Sequence, residues 1–172
     1  MKEKETASIN FGLWQLLQRS LGAIIKVRQK ELDRFGITVR QSAVLRTVMR
    51  LGQQATPTEI AKQLFLESNT ISEQLQRMEA DGLVKKVKDL NRKNLVRIEV
   101  TQEGHELSSK TLNRKSIDYV MSVLTEDEKI ELWSILTKLR GRAVEKLDIK
   151  DLDLYPPSDY SSLWPSDNTK PE

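Results

Sequence analysis

The fold of this chain is decided by residues 59–101, whose sequence is EIAKQLFLESNTISEQLQRMEADGLVKKVKDLNRKNLVRIEVT. A short helical segment comes first, and a second helix with a polar outer face follows it after a turn. In the second helix Ile71, Leu75 and Met78 recur at spacings of four and three residues, the period of a helix with one buried face. From Val96 to Val100 apolar and charged residues alternate, as in a half-buried strand. This order of elements predicts a helix-turn-helix followed by a β-hairpin wing.

The predicted hairpin is strongly basic. Residues 84–88 are the expected partner strand, and the polar residues 89–94 form the loop. Between positions 84 and 97 there is one acidic residue, Asp89, and there are six basic residues: Lys85, Lys86, Lys88, Arg92, Lys93 and Arg97. A local positive patch suits a polyanionic partner. Charge alone leaves open the alternative that the hairpin is merely well solvated.

Helices are predicted on both sides of this segment. An apolar stripe runs from about residue 8 to 35, and Gly36 is expected to close that helix. Capping boxes predict helix starts at three further points: Thr38 with Gln41, Thr56 with Glu59 (followed by Pro57), and Thr125 with Glu128. Thr101 is expected to cap another helix, whose first turn tolerates Gly104.

The predicted fold class is mainly α with a small β-hairpin wing (α+β). A winged helix-turn-helix core is flanked by long N- and C-terminal dimerisation helices. We divide the chain into an N-terminal dimerisation helix (1–36), a DNA-binding domain (37–101), C-terminal dimerisation helices (102–148) and an acidic, proline-containing tail (149–172). A small winged-helix core does not need the terminal helices, so we expect them to pack in a two-fold homodimer. The alternative is a monomeric helical bundle. Tyr155, Tyr160 and Trp164 are candidates to pin the tail to the body.

Composition excludes several classes of function. The 172 residues contain no cysteine and one histidine, His105, so disulfides, thiolate metal sites and thiol redox sensing are excluded. His105, Glu103 and Glu106 do not share a helical face as metal ligands would. We expect no enzyme activity, no metal and no cofactor. The N-terminus lacks the apolar core of a signal peptide and no apolar run is long enough to span a membrane, so we expect a cytoplasmic protein without a membrane partner.

The outer face of the second helix carries side chains suited to reading bases. Asn and Gln can bond to adenine, Arg to guanine or phosphate, and Glu can accept from cytosine. The candidate DNA-binding residues on this helix are Ser68, Asn69, Thr70, Ser72, Glu73, Gln76 and Arg77. Residues near the helix N-terminus lie closest to base edges in helix-turn-helix docking, whereas Arg77 is expected to meet phosphate. An ordinary solvated face is the alternative.

The wing supplies three further candidates, Lys88, Arg92 and Lys93. A hairpin tip can reach the minor groove, whose negative potential favours an inserted arginine. Arg92 is the strongest of the three, because it lies at the predicted tip. Arg97 could instead pair with Glu99 or Asp89.

Residues 37–104 resemble the MarR family of winged-helix transcription regulators. The resemblance rests on ITVRQSAVLRTVMRLGQQATPTEIAKQL, on ESNTISEQLQRMEADGLVKK and on DLNRKNLVRIEVTQEG. It implies a homodimer, recognition helices in two major grooves of double-stranded DNA, wings in the minor grooves, and regulation by a small-molecule effector. The family's effector pocket lies between the DNA-binding lobe and the dimer helices, so Trp14 and His105 are candidates by location.

Three residues depart from the family pattern. Phe65 occupies a turn position that is usually glycine or small, and we expect its side chain to pack against the first helix. Glu73 stands where many members are basic, and Asn94 where an arginine is common. The predicted function is a sequence-specific, ligand-responsive repressor acting on a pseudo-palindromic operator. The alternative is a winged-helix module that binds an acidic protein partner.

Overall fold

The computed structural model describes residues 2–88, 96–149, 152 and 155–157, with side chains from Ser8 onward. Within these residues the chain forms seven α-helices and one antiparallel hairpin. In chain order the elements are α1 (Lys2–Leu32), α2 (Val39–Leu51), α3 (Pro57–Leu64), α4 (Ser68–Ala80), β1 (Val84–Lys88), β2 (Val96–Val100), α5 (Gln102–Lys110), α6 (Lys115–Met121) and α7 (Glu126–Lys146). The predicted mainly helical fold with a hairpin wing is confirmed.

Most of the predicted helix boundaries are confirmed by their caps. Complete capping boxes begin α2 at Thr38 and α7 at Thr125, and the Thr101 hydroxyl accepts from the Gly104 N–H at the start of α5. At α3 only half of the predicted capping box is present: the Thr56 hydroxyl accepts from the Glu59 N–H at 3.2 Å, but the Glu59 carboxylate lies 4.0 Å from Lys62 Nζ. The α1 helix begins earlier than predicted, and a 3₁₀ turn over Asp33–Phe35 leads to the left-handed C-cap at Gly36.

One helix was missed by the sequence analysis, which expected a single helix between Thr101 and Thr125. The structure has two there, because α5 ends at Lys110 and α6 starts at Lys115. The break is stabilised from α1, since Arg28 Nη2 donates to the Thr111 carbonyl at 2.8 Å and Arg28 Nη1 to the Asn113 carbonyl at 3.2 Å. A partner 83 residues away in sequence leaves no local signal.

The core lies between α2, α3, α4 and the hairpin. The inward residues predicted for α4 are all buried: Ile71, Leu75 and Met78. They pack in one hydrophobic cluster with residues such as Leu45, Ile60 and Ile98. The helix-turn-helix therefore has its own apolar centre and presents α4 on the surface.

The α1 and α7 helices stand in contrast to this core. None of the residues of α7 is buried, and in the described side chains of α1 only Arg28 and Leu32 are. Large apolar side chains are exposed along both helices: Ile9, Phe11, Leu13, Trp14, Leu16, Leu17, Leu21, Ile130, Ile135, Leu136 and Leu139. Among the helices that the structure describes, none has the length and apolar character required to cross a bilayer.

Candidate nucleic-acid interface

The turn between α3 and α4 has a left-handed residue at its centre. Phe65 has φ 52° and ψ 43°, and the bonds Leu66 N–H to Ala61 O and Phe65 N–H to Lys62 O form a Schellman motif. Glycine suits this conformation because it has no Cβ, which explains why the family pattern has glycine or a small residue at the position that Phe65 occupies here. The Phe65 side chain is 45% exposed, so the aromatic ring is only partly covered.

The outer face of α4 presents the predicted base-contacting residues together. Ser68, Asn69, Ser72, Glu73, Gln76 and Arg77 are exposed, and Thr70 is half-buried. The helix starts after Glu67, which makes no side-chain capping bond to the first turn. Backbone N–H groups of the first turn lack intrahelical partners and point outward at a helix N-terminus, which favours anions such as phosphate.

A groove runs along this face beside the wing. Asn69, Ser72, Glu73 and Gln76 line it with Pro57 of α3 and Lys86 of β1, and its volume is about 340 Å³. The predicted helix residues and a strand lysine thus share one concave surface. The sequence predicts Lys86 only as a lysine along the strand, and the structure adds it to the candidate site.

Lys86 is held by the recognition helix. Its Nζ lies 2.7 Å from Glu79 Oε2, and its backbone N–H donates to Glu79 Oε1 at 3.2 Å. The hydrogen bond from the Lys86 side chain is the main reason that the pKa of Glu79 is lowered, and the opposing effect of desolvation is smaller. A charged Glu79 therefore neutralises one lysine at the edge of the groove.

Three of the predicted side chains on α4 are already engaged. Arg77 Nη2 lies 3.6 Å from Glu73 Oε2, with both side chains about 70% exposed. The Ser72 hydroxyl donates to the Ser68 carbonyl at 2.9 Å, which leaves its oxygen to accept. Both contacts are on the surface, so either can exchange for a contact to DNA at small cost.

The wing is anchored at its base. The Ile98 N–H donates to the Ala55 carbonyl at 2.8 Å, which joins β2 to the segment before α3. The Thr101 N–H donates to the Leu83 carbonyl, and the Thr101 hydroxyl donates to the Gly82 carbonyl at 2.5 Å. Within the hairpin Lys85 Nζ lies 3.1 Å from Glu99 Oε2. The strands are consequently fixed relative to α4 from Val84 to Lys88.

The structure places Lys88 exposed at the end of β1, opposite Val96. Arg92, Lys93 and Asn94 lie outside the described residues, so their predicted roles stay predictions. His105 is exposed and lines a cavity of about 350 Å³ with residues such as Arg97 and Glu99. Trp14 is not part of that lining, and its ring stacks on Phe11 with the ring centroids 5.5 Å apart. Of the two residues proposed for the effector pocket, His105 therefore lines this cavity and Trp14 does not.

Comparison with known proteins agrees with this geometry. A family model described as the MarR family matches residues 35–93. The HTH-type transcriptional regulator YsmB of Bacillus subtilis is 28% identical over 67% of this chain and 80% of its own length. The relatives found are thus transcriptional regulators.

Solved structures share the fold over most of the chain. The organohalide-sensing regulator RdhR, in a form bound to 2,4-dichlorophenol, has a TM-score of 0.79 at 28% identity and covers 87% of this chain and 89% of its own. A MarR variant from E. coli in complex with operator DNA has a TM-score of 0.69 at 22% identity, with coverage of 74% and 93%. The second likeness concerns the fold alone.

Proposed function

Because this chain belongs to the MarR family of winged-helix transcriptional regulators, we propose that it binds an operator in double-stranded DNA as a homodimer and represses transcription until a small molecule binds. The observation that carries the DNA-binding part is the groove in which Asn69, Gln76 and Lys86 meet. It combines side chains that can bond to base edges with a lysine at its rim.

The proposed contacts divide by chemistry. Side chains at the start of α4 would meet base edges, with Asn69 best placed for adenine because its amide can bond bidentately. Arg77, Lys88, Arg92 and Lys93 would meet phosphate or the minor groove. Ser68, Thr70, Ser72, Glu73 and Gln76 complete the proposed contact surface.

The homodimer is supported by the exposed apolar faces of α1 and α7. Side chains such as Leu16 (64% exposed) and Leu139 (54% exposed) would lose contact with water if two copies packed together. Two recognition helices held about 34 Å apart would match successive major grooves. The terminal helices would therefore set the spacing at which DNA is read.

Ligand response is supported by the likeness to RdhR, which binds 2,4-dichlorophenol. In a two-fold regulator a ligand alters DNA affinity only through its different affinities for the DNA-bound and free arrangements. A cavity that borders the DNA-binding lobe, such as the one lined by Arg97, Glu99 and His105, is a candidate place for such a ligand.

The test is a binding titration on two DNA duplexes over a range of salt concentrations. One duplex carries a palindrome from the promoter region of the gene that encodes this protein, and the other duplex carries a scrambled sequence. A specific regulator should bind the palindrome roughly 10³-fold or more tightly, and for both duplexes the logarithm of the affinity should fall linearly with the logarithm of the salt concentration. Equal affinities would exclude a specific operator and favour the alternative of an acidic protein partner.

A further inference from the structure

The DNA-binding lobe, residues 37–101, is connected to the terminal helices at its two ends, and both connections are hydrogen-bonded to one turn of α1. This turn comprises residues 28–31, near the end of the helix, and we call it the junction turn. Gln29 holds the first connection, because its Oε1 accepts from the Val39 N–H at 2.9 Å and its Nε2 donates to the Ile37 carbonyl at 3.2 Å. The start of α2 is thereby fixed against the end of α1.

The second connection runs through α5 and the break between α5 and α6. Arg28 donates to the Thr111 carbonyl from Nη2 at 2.8 Å and to the Asn113 carbonyl from Nη1 at 3.2 Å. The guanidinium also pairs with Glu31, whose carboxylate accepts from the Ser116 N–H of α6 at 3.3 Å. The turn that holds the start of α2 therefore also holds the break and the start of α6.

The α5 helix is itself attached to the lobe. The Thr101 N–H donates to the Leu83 carbonyl at 3.1 Å. A Cβ at Gly104 would lie 2.2 Å from the same carbonyl oxygen, so the first turn of α5 packs directly on the backbone that precedes the wing. A rotation of the lobe relative to α1 would therefore carry α5 with it and pull the Thr111 carbonyl away from Arg28.

Burial makes the bonds of Arg28 difficult to replace. Arg28 is 7% exposed and Thr111 is 3% exposed, so a carbonyl that lost its donor would have little access to water. A guanidinium holds its N–H groups in a fixed fork and can bond two carbonyls in one orientation. The Arg142–Glu145 pair of α7 has the same spacing in sequence, but its side chains are 82% and 68% exposed.

We propose that Arg28 is a positioning residue for DNA recognition, which fixes the orientation of the lobe on α1 and thereby the distance between the two recognition helices of the dimer. The inference rests on the proposed function, because this distance matters only for a homodimer on two half-sites. Arg28 would not touch DNA. It would determine which half-site spacing is accepted, since one added base pair moves a half-site by about 3.4 Å and turns it by about 34°.

The orientation of the lobe is measured first, without DNA, by pulsed electron paramagnetic resonance. Because the chain contains no cysteine, Arg19→Cys on α1 and Thr58→Cys on α3 provide two unique and exposed labelling positions. Dilution with excess unlabelled protein confines the signal to distances within one chain. The control pair joins Thr58→Cys to Glu103→Cys on α5, which moves with the lobe.

Arg28→Met keeps a long side chain but removes both bonds to the carbonyls. We expect it to broaden or shift the distance distribution between positions 19 and 58, and to leave that between positions 58 and 103 unchanged. Arg28→Lys keeps the charge and can bond one carbonyl, so its distribution should lie nearer to that of the parent. An unchanged distribution in Arg28→Met would overturn the positioning role.

The consequence for DNA is measured on duplexes with identical half-sites and a spacer that is one base pair shorter or longer. Arg28→Met should reduce the preference for the best spacing roughly fivefold or more, the usual size of coupling between distant sites. The preference is a ratio of affinities, so a lower folded fraction does not change it.

Two control variants should keep the spacing preference of the parent. Val44→Ala alters a buried residue of α2 that makes none of the junction hydrogen bonds, and Arg142→Gln removes one positive charge from an exposed pair. An equal loss of preference in Val44→Ala, or no loss in Arg28→Met, would overturn the role in recognition. A parent protein that binds no palindrome specifically would count against the proposed function, while a label shift in Arg28→Met would still assign the lobe orientation to Arg28.

Discussion

Glu79 of the recognition helix and Lys86 of the first wing strand form a two-point contact, in which the carboxylate accepts from both the side chain and the backbone N–H of the lysine. The contact positions the wing and at the same time neutralises a cation that lines the groove. The proposed DNA-binding surface thus carries an internal acid that should limit its attraction for phosphate.

Glu79→Gln should separate these two roles. The amide oxygen can still accept from the Lys86 N–H, so the strand stays in place, but the lysine charge is released. We expect tighter binding to random DNA and a slope of log affinity against log salt that is steeper by about 0.9, the value for one added phosphate contact. Fluorescence anisotropy over a salt series measures both quantities.

The control for this substitution is Glu126→Gln, which makes the same charge change at an ion pair on α7. There Lys129 Nζ lies 2.6 Å from Glu126 Oε1. Its salt slope should equal that of the parent. The same steepening in both variants would show that net charge, and not Lys86, is responsible.

Asn69→Ala and Arg92→Ala should have different signatures. Loss of Asn69 removes a potential bidentate bond to one base and should reduce discrimination at one operator position by about 1–3 kcal/mol. Loss of Arg92 should weaken all sequences alike, because phosphate and minor-groove contacts carry little base information. Affinity measured over a library of operator variants distinguishes the patterns. Unaltered binding by both variants would mean that this surface does not touch DNA.

Leu139→Glu should dissociate the proposed dimer. Leu139 is more than half exposed on α7, and a carboxylate at an apolar interface would be desolvated without a partner. We expect dimerisation to weaken at least tenfold, which corresponds to about 1.4 kcal/mol. Sedimentation velocity at several protein concentrations measures the change, and circular dichroism checks that the variant is folded.

Lys138→Glu is the neighbouring control, since Lys138 is an exposed charged residue of the same helix. It should leave the dimer intact. A monomeric parent protein would contradict the two-fold arrangement directly.

Glu31 should make stability depend on pH. Burial raises the pKa of this carboxyl, but hydrogen bonds from Ser116 and Arg28 outweigh burial, and the pKa lies below its ordinary value of 4.5. A carboxyl whose pKa is lower in the folded than in the unfolded state stabilises the fold. This stabilisation is complete at a pH above the unfolded-state pKa and is lost as the pH falls through the folded-state pKa.

Glu31→Gln should therefore destabilise the protein at neutral pH, by roughly 1–3 kcal/mol, because Arg28 loses its charged partner. The difference from the parent should shrink as pH falls below about 4.5. Urea unfolding at fixed protein concentration measures it. A constant difference from pH 7 to pH 3.5 would rule out a contribution from ionised Glu31.

Gly104→Ala should destabilise the chain despite the helix preference of alanine. A Cβ at this position would lie 2.2 Å from the Leu83 carbonyl oxygen and 2.7 Å from a methyl group of Val100. Alanine gains about 1 kcal/mol in helix propensity, but relief of the clash requires backbone movement that costs roughly 1–3 kcal/mol. In α7, where a Cβ at Gly141 meets nothing within 4 Å, Gly141→Ala should be neutral or stabilising. If the close approach is real, thermal unfolding should show a lower midpoint for Gly104→Ala and an unchanged or higher midpoint for Gly141→Ala.

Most helices of the chain and the strands of its hairpin were predictable from local sequence signals. The Thr38–Gln41 and Thr125–Glu128 boxes, the left-handed Gly36 and the Ile71–Leu75–Met78 stripe are signals within a few residues of each other. Such signals report on local hydrogen bonds and on which helix face is buried, so they can be found without knowledge of the rest of the chain.

The features that were missed depend on residues that are distant in sequence. Gly104 was expected to be merely tolerated, yet the approach of Leu83 and Val100 requires it. Arg28 stabilises the break before α6, and the Tyr155 ring packs over the guanidinium of Arg50. In each case the contact joins segments that are distant in sequence, so no local sequence pattern predicts that they meet.

Periodicity and caps in the amino-acid sequence are enough to specify a winged helix-turn-helix with long amphipathic helices at its ends, because burial and backbone hydrogen bonding act over one or two turns. The tertiary structure alone decides which charges are paired, which glycine is closely approached by other residues and where Tyr155 lies relative to Arg50. Those properties arise from pair distances, such as the 2.7 Å between Lys86 Nζ and Glu79 Oε2, that exist only once the chain has folded.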